Sequence, residues 1–170
     1  MQLRIKDGGA ARDREMAAAA SAARRYGARL FVNDDAEAAV RHGAYGAHLG
    51  QDDLEEGAVE RLRAAGLRLG ISAHGPGEIA RACAWQPSYL GTGPVFETAS
   101  KKVDLPALGI EGFARRRSLM PCPAVAIGGI RLEHVPALRR AGADGIAVIG
   151  DVCRADHPES RAAAWLEAFA

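Results

Sequence analysis

Aromatic residues are scarce: Phe, Trp and Tyr make up 5% of the 170 residues. A core of stacked rings is excluded, so Ala, Val, Leu and Ile must fill the interior. Charge of one sign is also lacking. Lys and Arg number 22 and Asp and Glu 21, for a net +1. That excludes strong electrostatic attraction to nucleic acid or to an anionic membrane. No run approaches the roughly 18 apolar residues of a membrane helix. The N-terminal MQLRIKDGG has no apolar stretch of signal-peptide length. Cysteines number three, Cys83, Cys122 and Cys153, with no CxxC pair. An odd, scattered set reads as reduced thiols and predicts the cytoplasm. A chain of this length buries about 70% of its unfolded surface and needs no disulfide or metal staple. One domain over 1–170 is expected.

What is abundant is glycine, 20 residues, and a repeated alternation of short β-rich runs with longer helical ones. Strands are predicted at Gln2–Ile5, Leu30–Asn33, Ala47–Leu49, Leu67–Ser72, Tyr89–Gly91, Ala124–Ile127 and Gly145–Val148. Several are apolar at successive positions, as buried parallel strands are. Helices are predicted at Arg12–Tyr26, Asp35–His42, Leu54–Ala65, Gly77–Ala84, Gly109–Met120, Leu132–Ala141 and Glu159–Phe169. Gly27-Ala28, Gly43-Ala44 and Gly142-Ala143 repeat one phrase, a helix stop before the next strand. Such βα repetition gives an α/β fold with right-handed crossovers. A doubly wound sheet and a (β/α)8 TIM barrel both fit. Seven units are one short of a barrel, and a strand beginning at residue 2 makes an absent first strand–helix unit the expectation.

In both architectures ligands bind at the C-terminal ends of the strands, and these ends are polar. Gln2, Arg4 and Lys6 alternate, so they share a face of the first strand. Arg and Lys suit a pyrophosphate; a solvated edge strand is the other reading. Asp34 follows polar Asn33, and Asp53 lies two residues beyond Gln51. Carboxylates at neighbouring strand tips suit a hard cation such as Mg²⁺. Asp35 and Asp52 read as helix caps or first-turn residues. Ser72 can donate to a ligand, and His74 reads as a loop or helix-start histidine, with an acid–base role as the other reading. The stretch from Gly91 to Lys102 lacks periodicity and reads as a binding loop. Gly128 and Gly129 allow close backbone approach to a phosphate, or simply a tight turn.

Gln2-Leu3-Arg4-Ile5-Lys6, Asn33-Asp34-Asp35, His48-Leu49-Gly50-Gln51-Asp52-Asp53, Gly70-Ile71-Ser72-Ala73-His74, Thr98-Ala99-Ser100-Lys101 and Ala126-Ile127-Gly128-Gly129-Ile130 occur in the order of the thiamine phosphate synthase family. The chain resembles that family from residue 2 to about 153. The resemblance implies a TIM barrel and a transferase joining hydroxymethylpyrimidine diphosphate to a thiazole phosphate. It implies that Arg4, Lys6, Asn33 and Lys101 hold the diphosphate. Gln2 and Ser72 meet the pyrimidine diphosphate, and Asp34 and Asp53 hold Mg²⁺. Thr98, Ser100, Gly128, Gly129, Ile149 and Gly150 line the thiazole phosphate site. Partners are then small molecules, not nucleic acid or membrane, and a homo-oligomer stays open. Gly150 stands where the family commonly has Ser, and Glu97 where it has Pro. Glu97 is similar to the sister thiazole tautomerases, which would use His74 without a metal. A non-catalytic phosphate-binding relic is the third reading.

Overall fold

A computed structural model of the chain describes residues 1–5, 10–98 and 106–169. These group into two compact units, Met1–Ser72 with Ala84–Ser88, and Ala73–Cys83 with Tyr89–Ala170.

In the first unit the strands are β1 (Gln2–Leu3), β2 (Phe31–Asn33), β3 (Gly46–Leu49) and β4 (Arg68–Ser72). Each is parallel to the next in chain order. Between them lie α1 (Ala10–Arg25), α2 (Ala36–Arg41) and α3 (Glu56–Ala64). The sequence of α1 is dominated by Ala, the best helix former. Its Met16, Ala20 and Ala23 are buried, and Ala20 and Ala23 cluster with Leu30, with Leu3 packed against them. The apolar residues Val32, Ala47, Leu49, Leu69 and Ile71 are buried with Val59 and Leu62 of α3. All four residues of β3 are buried, as a strand covered on both sides must be.

In the second unit β5 (Tyr89–Thr92), β6 (Ala124–Ile127) and β7 (Gly145–Ala147) are likewise parallel in chain order. The helices are α4 (Pro76–Ala84, its last residue in the first unit), α5 (Gly109–Arg117), α6 (Val135–Arg140), α7 (Gly150–Cys153) and α8 (Pro158–Phe169). Leu90, Val95, Ala124, Ala126, Phe113, Val135 and Leu138 form the buried interior of this unit.

The repeated Gly-Ala phrase is one physical device. Gly27, Gly43 and Gly142 are left-handed, with φ of +63°, +62° and +89°. After each, the following amide donates to a carbonyl five residues back: Ala28 to Ala23, Ala44 to Ala39 and Ala143 to Leu138. This closes the last helical turn and aims the chain into the next strand.

The α/β class and the parallel strands follow the sequence expectation. Three differences stand out. The β1 ladder ends at Leu3, so Arg4 lies beyond it rather than on the strand. The helix expected over Leu132–Ala141 is a 3-10 turn, Leu132–His134, followed by α6. Pro136 lies at the start of α6, where its missing N–H costs no bond, and it cannot sit inside a longer helix. Helix α7 was not expected. Among the described residues, no helix is long and apolar enough to cross a membrane.

Candidate active site

In the first unit, parallel register decides which side chains share a face. Asn33 lies level with His48, and His48 with Gly70. Gln2 lies level with Phe31, two residues before Asn33, and Ser72 lies two residues after Gly70. With a side-chain period of two, Gln2, Asn33, His48 and Ser72 therefore line one face of the four-stranded sheet. They are linked in pairs. Gln2 Nε2 donates to Asn33 Oδ1 at 2.5 Å. His48 Nε2 lies 2.8 Å from Ser72 Oγ, and Gln51 Nε2 donates to the Ser72 carbonyl at 2.8 Å. His48 is buried. No role was expected of it, although its alternation with Gly46 on β3 was the signal that could have found it.

Asp34 follows β2 with φ +60°, a left-handed conformation that Asp adopts more readily than most residues. Its amide donates to the His48 carbonyl, extending the ladder by one bond. Arg4 Nη2 lies 4.0 Å from Asp34 Oδ2, longer than a charge-assisted hydrogen bond. Asp53 Oδ2 accepts from the Gly50 amide at 3.1 Å, which folds the turn after β3. Asp35 is the cap expected of it: its Oδ1 accepts from the Ala38 amide, and Arg12 Nη2 lies 2.9 Å from its other oxygen. Lys6 lies outside the described residues.

In the second unit, the segment after β5 continues alongside the end of β6. The amides of Val95 and Phe96 donate to the carbonyls of Ile127 and Gly128 at 2.9 and 3.0 Å. Gly128 and Gly129 have φ of +90° and +65°. A Cβ at Gly128 would strike Pro94, and one at Gly129 the backbone of Phe96 and Glu97. Both glycines are therefore required by the neighbouring protein segment. The Phe96 ring stacks on His134, with centroids 3.9 Å apart and 23° between planes. Thr98 is half-buried; Ser100 and Lys101 lie outside the described residues. Ile149, exposed, and Gly150 form the turn into α7. Behind that turn Asp151 accepts two hydrogen bonds from Arg161, at 2.8 and 2.9 Å, and one from Trp165 Nε1 at 2.7 Å. The Arg161 bonds hold the Asp151 carboxyl below its ordinary pKa.

His74 is tied down by backbone. Its Nδ1 donates to the Gly93 carbonyl at 2.6 Å, its amide donates to Glu78 at 2.8 Å, and Arg116 Nε donates to its carbonyl at 2.6 Å. Burial pushes the Tyr89 phenol well above its ordinary range, so it stays neutral.

These features can be set beside known proteins. The chain is 44% identical over 175 residues to the thiamine-phosphate synthase of Citrobacter koseri, covering all of this chain and 78% of that one. It is 47% identical over 160 residues to the Shigella dysenteriae protein of the same name, covering 91% and 74%. A solved thiamine phosphate pyrophosphorylase from Pyrococcus furiosus matches with a TM-score of 0.83 and 30% identity, over 99% of this chain and 81% of that one. A 3-hexulose-6-phosphate synthase shares the fold at 15% identity and a TM-score of 0.69. The thiamine monophosphate synthase family model matches residues 1–152, and the chain belongs to that family.

Proposed function

We propose that this transferase joins hydroxymethylpyrimidine diphosphate to a thiazole phosphate, on a barrel of βα units forming one domain. The bond between the pyrimidine methylene carbon and the diphosphate oxygen breaks. Both its electrons leave with pyrophosphate. The lone pair of the thiazole nitrogen then forms the new C–N bond to the methylene carbon. The observation that carries this reading is the polar row Gln2, Asn33, His48 and Ser72 on one face of the first unit's sheet. Gln2 is exposed and Asn33 and Ser72 are half-buried, so the row offers donors and acceptors to a polar ligand at the strand ends, where parallel α/β folds bind their ligands.

The roles divide by chemistry. Arg4, Lys6, Asn33 and Lys101 hold the diphosphate and stabilise negative charge as it develops on the leaving group. Gln2 and Ser72 meet the pyrimidine diphosphate. Thr98, Ser100, Gly128, Gly129, Ile149 and Gly150 line the thiazole phosphate site. Asp34 and Asp53 offer two carboxylates, the hard oxygen donors that Mg²⁺ prefers. Among the described residues no group of three His, Cys, Asp or Glu side chains could hold a metal. A two-carboxylate site fits an ion that keeps waters and substrate oxygens. Bound there, Mg²⁺ would supply positive charge to the departing pyrophosphate. No nucleophilic side chain is needed.

The test is substitution at the carboxylates. Asp34→Asn and Asp53→Asn should each lower turnover at limiting Mg²⁺ by about 100- to 1,000-fold, the scale of one lost preorganised electrostatic group. Folding should be little changed. Wild-type activity in both variants at limiting Mg²⁺ would remove the metal assignment.

A further inference from the structure

We infer that His134 is a positioning residue for the thiazole phosphate, acting through Phe96; this rests on the synthase reading above. His134 closes the 3-10 turn that follows Gly128 and Gly129. Two contacts fix its ring. Nδ1 accepts a hydrogen bond from the Arg131 amide at 3.0 Å. The ring face lies on Phe96 at 3.9 Å between centroids. Nε2 lies 3.8 Å from Glu133 Oε1. Because Nδ1 accepts, the ring's proton is on Nε2, the side of that carboxylate.

Phe96 is the last residue of the backbone ladder between the β5 and β6 segments, bonded to Gly128 at 3.0 Å. Two residues later comes Thr98, and one residue after Gly128 comes Gly129. The stack therefore ties together the two segments that carry Thr98 and Gly129 where their backbone ladder stops. Gly129 leaves no room for a Cβ against Phe96 and Glu97, so the two segments run at a separation that only glycine permits. The glycine allows the close approach, and the His134–Phe96 stack opposes a larger separation. Two phosphate-contacting groups held in this way are preorganised, and small displacements of such groups are costly in binding and rate.

The experiment is steady-state kinetics with each substrate varied in turn, on wild type, His134→Ala, Phe96→Ala, the double variant and His134→Phe. An aromatic pair of this geometry is worth on the order of a tenfold change in affinity. The expected result is a KM for thiazole phosphate raised about tenfold in each Ala variant. The KM for the pyrimidine diphosphate should stay within about twofold. The double variant should be about as impaired as the worse single, because both remove one contact. His134→Phe, which keeps a ring and loses the acceptor, should restore the thiazole phosphate KM. If His134→Ala does not fold, His134→Asn, which keeps an acceptor and loses the ring, takes its place and should show the same raised KM. An unchanged thiazole phosphate KM, or an equal rise in both KM values, overturns the inference. Absence of turnover in the wild type is a separate outcome that overturns the synthase reading and this inference with it.

Discussion

Gly129→Ala tests whether the two glycines serve the neighbouring protein segment. Gly129 and Gly109 have nearly the same φ, +65° and +64°, in the same unit. Among the described residues, an added Cβ at Gly109 meets nothing within 4 Å, whereas at Gly129 it overlaps the backbone of Phe96 and Glu97. Gly27, with φ +63° and nothing among the described residues within 4 Å of an added Cβ, serves as a second control in the other unit. Alanine at any of the three carries the left-handed penalty of about 1–2 kcal/mol. Only at Gly129 must backbone also move, adding about 1–3 kcal/mol for forced overpacking. Urea unfolding reads the difference. With a slope of about 2 kcal/mol per M, an extra 2 kcal/mol lowers the midpoint by about 1 M relative to the controls. Gly129→Ala should also raise the thiazole phosphate KM, since it pushes the Thr98 segment away. Equal midpoints for Gly129→Ala and Gly109→Ala would refute the close-approach argument.

Two further predictions concern stability. Thr92 is fully buried and, among the described residues, its hydroxyl has no hydrogen-bond partner; an orphaned buried hydroxyl costs roughly 1–3 kcal/mol. Thr92→Val should therefore leave the thermal midpoint unchanged or raise it, and a drop of several degrees would mean the hydroxyl is satisfied. Asp151 has a folded pKa lowered first by its Arg161 hydrogen bond, from an ordinary 3.8. A lowered folded value contributes stability above the ordinary pKa, and that contribution is lost as pH falls through the folded value. Asp151→Asn should thus cost stability at pH 7 and show a shallower loss of urea midpoint below about pH 5 than wild type; parallel curves would contradict this.

The elements were legible because each carries its own local signal. The Ala-rich run, the Gly stops and the apolar strand cores place β2 through β7 within a residue or so of their observed bounds. Helix α7 was illegible because four residues hold too little periodicity to register. The split of the Leu132–Ala141 helix was readable in principle from Pro136, whose missing N–H forbids an interior position. At the site, strand-end position singled out Gln2 and Ser72 as candidates and the family resemblance added Asn33; the register brings the three to one face. The capping role of Asp35 was legible from its place before an apolar helical run. The pairings were not. His48 with Ser72, Phe96 with His134 and Asp151 with Trp165 join residues far apart in the chain. Nothing local announces them, since each exists only once the parallel strands fix which segments run side by side. The glycines after β6 show a related limit. A phosphate and a neighbouring backbone impose the same steric demand, and only the fold brings Phe96 and Glu97 against Gly129.

The central claim is that pyrophosphate leaves the pyrimidine as the thiazole nitrogen takes its place. The direct measurement is pyrophosphate release and thiamine phosphate formation, followed together with purified protein, both substrates and Mg²⁺. Equal amounts of the two products, with neither product formed when either substrate is left out, is the predicted result. Release of pyrophosphate without thiamine phosphate, or no release with all components present, would contradict it.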